Sequence, residues 1–133
     1  EHQLDGEAFP LEVHFVHQSE DGELAVVGRL YREGEAHAEI FHLEKTAPAA
    51  GNTVPFKREI KEIFPKARYT IPNYYRYSGS LTTPPCSEGL RWYVYPGVGT
   101  VSPEQIDFYV NLIGEDARGP QPINARMVLE ADD

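Results

Sequence analysis

Residues Tyr74 to Gly89 read Tyr-Tyr-Arg-Tyr-Ser-Gly-Ser-Leu-Thr-Thr-Pro-Pro-Cys-Ser-Glu-Gly, and this stretch limits the fold more than any other. The aromatic and long side chains of Tyr74 to Tyr77 suit a pleated surface, whereas Gly79, Pro84, Pro85 and Gly89 stop regular pairing. A strand is therefore expected to run into a stiff loop. Two consecutive prolines fix φ and remove two amide donors, so Thr82 and Thr83 are presented on a segment with little freedom. A hydroxyl held in one orientation is useful where a proton must point one way. A plain surface turn containing threonine is the competing interpretation, and this stretch alone favours it.

The rest of the chain reads as β-rich. Leu11, Val13 and Phe15 alternate with Glu12, His14 and Val16, which predicts a strand over Phe9 to Val16 with two distinct faces. Leu24 to Tyr31 is a second β-rich run, separated from the first by the turn formers Ser19 to Gly22, and a hairpin between them is expected. Ala36 to Lys45 changes to a helical period, placing His37 and His42 on a solvated surface helix. Lys57 to Phe64 suits another short helix stopped by Pro65, with Tyr69 to Pro72 as an extended lead into the central stretch. Leu90, Trp92 and Val94 face one side of a strand, and Arg91, Tyr93 and Tyr95 the other. Ser102-Pro-Glu-Gln105 is a helix start with serine as N-cap, proline at the first helical position and glutamine completing a capping box; the helix should end before Gly114. Gly119 to Leu129 should be extended, with Glu130 to Asp133 fraying. No regular βαβ alternation is present, so the fold class is mainly β (α+β), a large twisted, mostly antiparallel sheet with short peripheral helices.

With 133 residues the chain has the size of one domain or part of one. A net charge of −9 and a pI near 5.0 argue against nucleic acid or an anionic membrane surface as partner, since both need a basic face. No apolar run approaches a membrane-spanning length, and Glu1 to Asp5 lack the features of a secretory signal. Cys86 is the single cysteine, which excludes a disulfide within these residues and a zinc–thiolate cluster.

Glu12 and His14 share one strand face. A metal-bound histidine usually gives its second ring nitrogen to a carboxylate or carbonyl, so the pair suits a metal ligand with an orienting partner, either between themselves or across strands. Alone, a histidine on a strand is more often structural, and His17 points away from His14 and cannot share its ion.

Glu1-His2, Glu12-Val-His14-Phe-Val-His17, Leu24 to Gly28, Tyr77 to Gly89 with Trp92, Ser102 to Gln105 and Gln121 to Arg126 follow the order and approximate spacing of the α-class carbonic anhydrases. The sequence resembles that family over essentially its whole length, and Ser-Leu-Thr-Thr-Pro-Pro is its most specific segment. The resemblance implies zinc-dependent reversible hydration of carbon dioxide to bicarbonate and a proton, with Zn2+ as cofactor. It implies His14 as a zinc ligand and Glu12 as the carboxylate that orients it. It implies Thr82 as the hydroxyl that accepts a hydrogen bond from the zinc-bound nucleophile, and Glu1 as the acceptor of the threonine's own proton. Val16, Val26, Leu81, Leu90 and Trp92 match an apolar wall for carbon dioxide, and Thr83 lies beside it in the bicarbonate region. His2 and Tyr77 match a hydrogen-bond network behind the site, and Asn124 and Arg126 a structural end segment. Cys86 after the two prolines looks more like the secreted and bacterial branches, implying a periplasmic or secreted protein.

The family's other two zinc ligands form a His-x-His pair just upstream of the position of Glu1, and no such pair occurs here. The family's proton-shuttling histidine and the N-terminal cysteine that pairs with Cys86 in secreted members are absent too. Residues 1–133 are accordingly expected to be the C-terminal portion of a single domain whose missing N-terminal part supplies two histidines, with the isolated chain inactive. A homodimer is left open. The alternative is a metal-free carbonic-anhydrase-like binding module; a β-rich storage or matrix protein is weaker.

Overall fold

The computed structural model describes residues 1–49, 51–55 and 73–131. It opens with a small hairpin, β1 (Gln3–Leu4) and β2 (Glu7–Ala8). Asp5 and Gly6 form its two-residue turn with φ of 51° and 80°, the left-handed conformation in which Asp-Gly is favoured. Then come β3 (Leu11–Gln18), β4 (Leu24–Glu33), α1 (Ala38–Thr46), β5 (Tyr74–Ser80), β6 (Glu88–Val101), a helix at Pro103–Ile113, named α2 here, and β7 (Leu129–Ala131).

Strands β3 to β7 form a five-stranded sheet in the order β3-β4-β6-β5-β7. Strands β3 and β4 make the expected hairpin, its turn closed by Ser19 N donating to Glu23 O at 2.9 Å and Glu23 N donating to Ser19 Oγ at 3.0 Å. The β4–β6 pair is parallel and the remaining pairs are antiparallel. Pro96 falls in the part of β6 where pairing with β4 is interrupted, which is where a strand tolerates a residue without an N–H.

Register decides which side chains meet. Val16 lies opposite Val26, Val26 opposite Trp92, and Trp92 opposite Tyr77, so one row crosses four strands on a single face. One step along the sheet, His14 is opposite Gly28, and Gly28 opposite Val94. This face carries the buried cluster of Val26, Leu90 and Trp92, with Leu24, Tyr77 and Leu81 packed on it. The other face buries Tyr31 with Ile40 of α1 and Val101, flanked by Leu11, Val13, Leu43, Ile106 and Tyr109. Helices thus cover one face, and among the described residues none lies on the His14 face.

Helix α2 begins as its sequence requires. Ser102 caps it, accepting from Gln105 N at 3.4 Å, while the Gln105 amide oxygen accepts from Ser102 N at 3.2 Å. Gly114 ends it at φ 78°. The Gln105 side chain does more than complete the box. Its oxygen also accepts from His37 N at 2.8 Å and its nitrogen donates to His37 O at 2.9 Å, so a buried amide ties the start of α1 to the start of α2.

Three expectations change. His37 is not solvated: it is half-buried as the N-cap residue of α1, its ring edge-on to Tyr31 at 5.3 Å, and burial lowers its pKa. His42 is half-buried as well. Glu130 does not fray; it pairs with Tyr75 within β7, because the edge of β5 offers backbone groups that a short extended tail can satisfy. The helix expected over Lys57 to Phe64 and the lead from Tyr69 to Pro72 lie outside the described residues.

Replacing Gln105 by leucine strips partners from three backbone groups, whereas replacing Ser102 by alanine removes one cap. In urea unfolding of the full-length protein, Q105L is expected to cost about 2–4 kcal/mol and S102A about 1 kcal/mol.

Candidate metal centre

Glu12 is the centre of the site. Its side chain is 3% exposed, and a carboxylate so placed must be neutral or paired. It is paired on several sides. Oε2 accepts from His2 N at 2.9 Å, and Oε1 lies 2.6 Å from His2 Nδ1 and 2.9 Å from His14 Nε2. Burial alone would raise its pKa, but hydrogen bonds and charge from His14 and His2 outweigh burial and bring it down to about 2. Glu12 is therefore an anion at neutral pH.

The approach of His14 Nε2 to Glu12 is close but off the hydrogen-bond axis. Nδ1 of His14 has no hydrogen-bond partner among the described residues. Nε2 thus faces the carboxylate, and Nδ1 faces no protein partner among the described residues. On the far side of His2, Nε2 and the Tyr77 hydroxyl lie 2.6 Å apart. Arg126 sits over the Tyr77 ring at 5.4 Å, and the phenol pKa is pushed up to about 12, chiefly by burial.

Trp92 holds these rings in place. His2 and His14 stand edge-on to it at 4.8 and 4.9 Å, and Tyr77 is parallel to it at 6.3 Å. Its indole N–H donates to Ser80 O at 3.0 Å, which links the site to the base of the threonine loop. Gly28, directly across from His14, supplies room: a Cβ there would come within 2.7 Å of Glu12 Oε1.

Glu1 and Thr82 both line a cavity of about 700 Å3 together with His2, Tyr77, Arg118 and Arg126. Glu1 Oε1 accepts from Arg118 N at 3.3 Å. Its Oε2 is buried without a hydrogen-bond partner, 3.8 Å from His14 Nε2. No hydrogen bond joins Thr82 to Glu1 among the described residues. Leu81, Val26, Leu90 and Trp92 pack together as the apolar group expected from the sequence. Val16 stands apart at 58% exposure on the edge strand β3, and Thr83 is exposed. The peptide between Pro84 and Pro85 is cis, and Cys86 is half-buried and unpaired.

His2, Glu12 and His14 have ligand-type atoms within 4.8 Å of one another. Two of the three are already engaged with each other and with Tyr77, so the group fits one imidazole ligand with its orienting partners better than a three-ligand site. A single imidazole cannot hold zinc for catalysis, which takes three protein ligands and an open position. The donor chemistry fits zinc, and the ligand count is completed only by groups beyond these three.

Arg118 and Gly28 escaped the sequence reading. Arg118 follows α2 in a segment without periodicity, and the demand on Gly28 exists only through cross-strand pairing; neither leaves a local signal.

A five-stranded mixed sheet with one helix-covered face, and an ionised buried carboxylate beside an imidazole on the other, defines a β-sheet protein with a candidate metal site. Residues 1–132 match the family model for eukaryotic-type carbonic anhydrase, and the chain belongs to that family, which is generally zinc-dependent. It is 40% identical to alpha carbonic anhydrase 3 of Arabidopsis thaliana over 133 residues, covering 96% of this chain and 48% of that protein. It is 39% identical to a carbonic anhydrase of Pectobacterium carotovorum, covering 97% and 53%. A hyperthermostable carbonic anhydrase from a hydrothermal vent chimney superposes with a TM-score of 0.83 at 44% identity, covering 96% of this chain and 57% of that one. The chain spans about half the length of the curated relatives it matches.

G28A should push the Glu12 carboxylate off both imidazoles. The expected outcome is a loss of about 1–3 kcal/mol in stability and zinc affinity about 10- to 100-fold weaker in the full-length protein, read by thermal unfolding and competitive chelator titration.

Proposed function

We propose that residues 1–133 form the C-terminal portion of a zinc-dependent carbonic anhydrase domain that interconverts carbon dioxide and bicarbonate. The observation that carries this is the His14 ring, one nitrogen turned to the buried anion of Glu12 and the other left without a protein partner. His14 would supply one zinc ligand, and the N-terminal part of the domain the other two. When bound, zinc supplies the Lewis acidity that makes water a usable nucleophile at neutral pH.

The chain's own residues position and discriminate. Glu12 holds the His14 ring in one tautomer and orientation, and His2 and Tyr77 keep Glu12 in place. Glu1 Oε2, a buried acceptor with no donor, is the group to which the Thr82 hydroxyl donates its hydrogen bond. Thr82 Oγ is then an acceptor only, and favours a species in the cavity that has a proton to donate. Carbon dioxide carries no hydrogen to donate, and the apolar group of Val26, Leu81, Leu90 and Trp92 offers it a surface without competition from ordered water. Val16 and the bicarbonate-side Thr83 complete that wall when the rest of the domain covers β3. The periplasmic or secreted location is supported by Cys86, available for pairing with a cysteine outside these residues.

A metal-free binding module on the same fold is the alternative, and zinc content separates the two. The full-length protein should bind about one zinc per domain and hydrate carbon dioxide. H14A should lose the metal, and T82A should keep it while losing roughly 100-fold in kcat/KM. A full-length protein without zinc or hydration would establish the binding module instead.

A further inference from the structure

The loop that presents Thr82 leaves the sheet through Ser80 and Leu81, and this stem is held from several directions. The Trp92 indole donates to Ser80 O, and Leu81 N donates to Ser87 O at 3.0 Å. The remaining polar groups of the stem go to a single side chain: Arg118 Nη1 donates to Ser80 Oγ and to Leu81 O, each at 3.4 Å. The backbone of the same residue holds Glu1. Arg118 N donates to Glu1 Oε1 at 3.3 Å, and Arg118 O accepts from Glu1 N. One half-buried residue therefore touches the peptide immediately before Thr82 with its guanidinium and the Glu1 carboxylate with its main chain.

We propose that Arg118 is a positioning residue for the Thr82–Glu1 pair, setting the distance over which the Thr82 hydroxyl donates its hydrogen bond to the Glu1 carboxylate. This rests on the roles given to Thr82 and Glu1 above. Thr82 and Glu1 belong to segments that are not neighbours in the sheet: Thr82 follows β5, and Glu1 precedes β1. Their separation has to be fixed by something that contacts both. Truncating Arg118 keeps the backbone bonds to Glu1 but frees Ser80 Oγ and Leu81 O, so the loop shifts relative to a carboxylate that stays put. Arginine suits the task because the planar guanidinium fixes the directions of the two N–H bonds of Nη1, one to each acceptor; the lysine ammonium rotates its donors on a flexible stem.

The test compares R118A and R118K with T82A and E1Q in the full-length, zinc-loaded protein. Two readouts are taken: kcat/KM for carbon dioxide hydration, and the ratio of dissociation constants, measured by calorimetry without turnover, for hydrosulfide, which carries a hydrogen, and iodide, which does not. For R118A, kcat/KM should fall roughly 10- to 100-fold, as for an ångström-scale displacement of a reacting group. Its preference for hydrosulfide over iodide should shrink about tenfold, the worth of one hydrogen bond, and R118K should recover part of both. A normal selectivity ratio in R118A, with activity unchanged or lowered only in proportion to the zinc-loaded folded fraction, would overturn the proposal while leaving the roles of Thr82 and Glu1 intact if T82A and E1Q are impaired. Unimpaired T82A and E1Q would remove the underlying roles and the proposal with them. Should R118A fail to fold, the selectivity ratio of R118K decides alone: a shift toward iodide supports the positioning role, and a wild-type ratio overturns it.

Discussion

A charged carboxylate inside a β-sheet protein is the constraint around which this site is arranged. Unpaired, the ionised form of Glu12 would cost several kcal/mol to bury. The structure surrounds it instead with the backbone N–H and the ring of His2 at hydrogen-bond distance, and with the His14 ring close beside Oε1. Each of these becomes fixed because the carboxylate needs it. Orientation of His14 is thus a consequence of charge burial, and Tyr77 extends the same demand one residue further by engaging the second nitrogen of His2.

The sheet makes this arrangement geometrically available. Parallel pairing of β4 with β6 puts Gly28 between Glu12 and Trp92, where any larger residue would strike the carboxylate. Trp92 then serves two regions at once, its faces and edges packing the rings of His2, His14 and Tyr77 while its N–H fixes Ser80 at the foot of the threonine loop. The proposed metal ligand and the proposed proton acceptor pair are joined through one buried indole. The other face, sealed by α1 and α2 and clamped by Gln105 against His37, contributes rigidity without contributing to the site.

Much of this was legible in the residues alone. Alternation located β3, β4 and the start of β6, and the Ser102 capping box with Gly114 defined α2 almost to the residue, because those signals depend on neighbours a few positions apart. The motif singled out Glu12, His14 and Trp92, which the sheet brings together, and Thr82, which lines the cavity with Glu1. The burial of His37 was not legible, since a helix far along the chain supplies the amide that holds it. Pairing of Glu130 with Tyr75 was not legible either, because a three-residue strand has no pattern of its own and exists only where an edge is waiting for it.

Sequence by itself determined the local conformations and the residue types: strands from β-branched and aromatic alternation, a stiff hydroxyl-bearing loop from paired prolines, an imidazole and a carboxylate two positions apart on one strand face. These follow from steric and hydrogen-bonding preferences that act within a few residues. Only the tertiary structure decided that His2, Tyr77 and Trp92 close around Glu12, that Gly28 must lack a side chain, and that Arg118 reaches both the threonine loop and Glu1. Those relations are set by strand register and chain crossing, where contacts between distant segments form only after the backbone has been folded, and no short-range pattern encodes them.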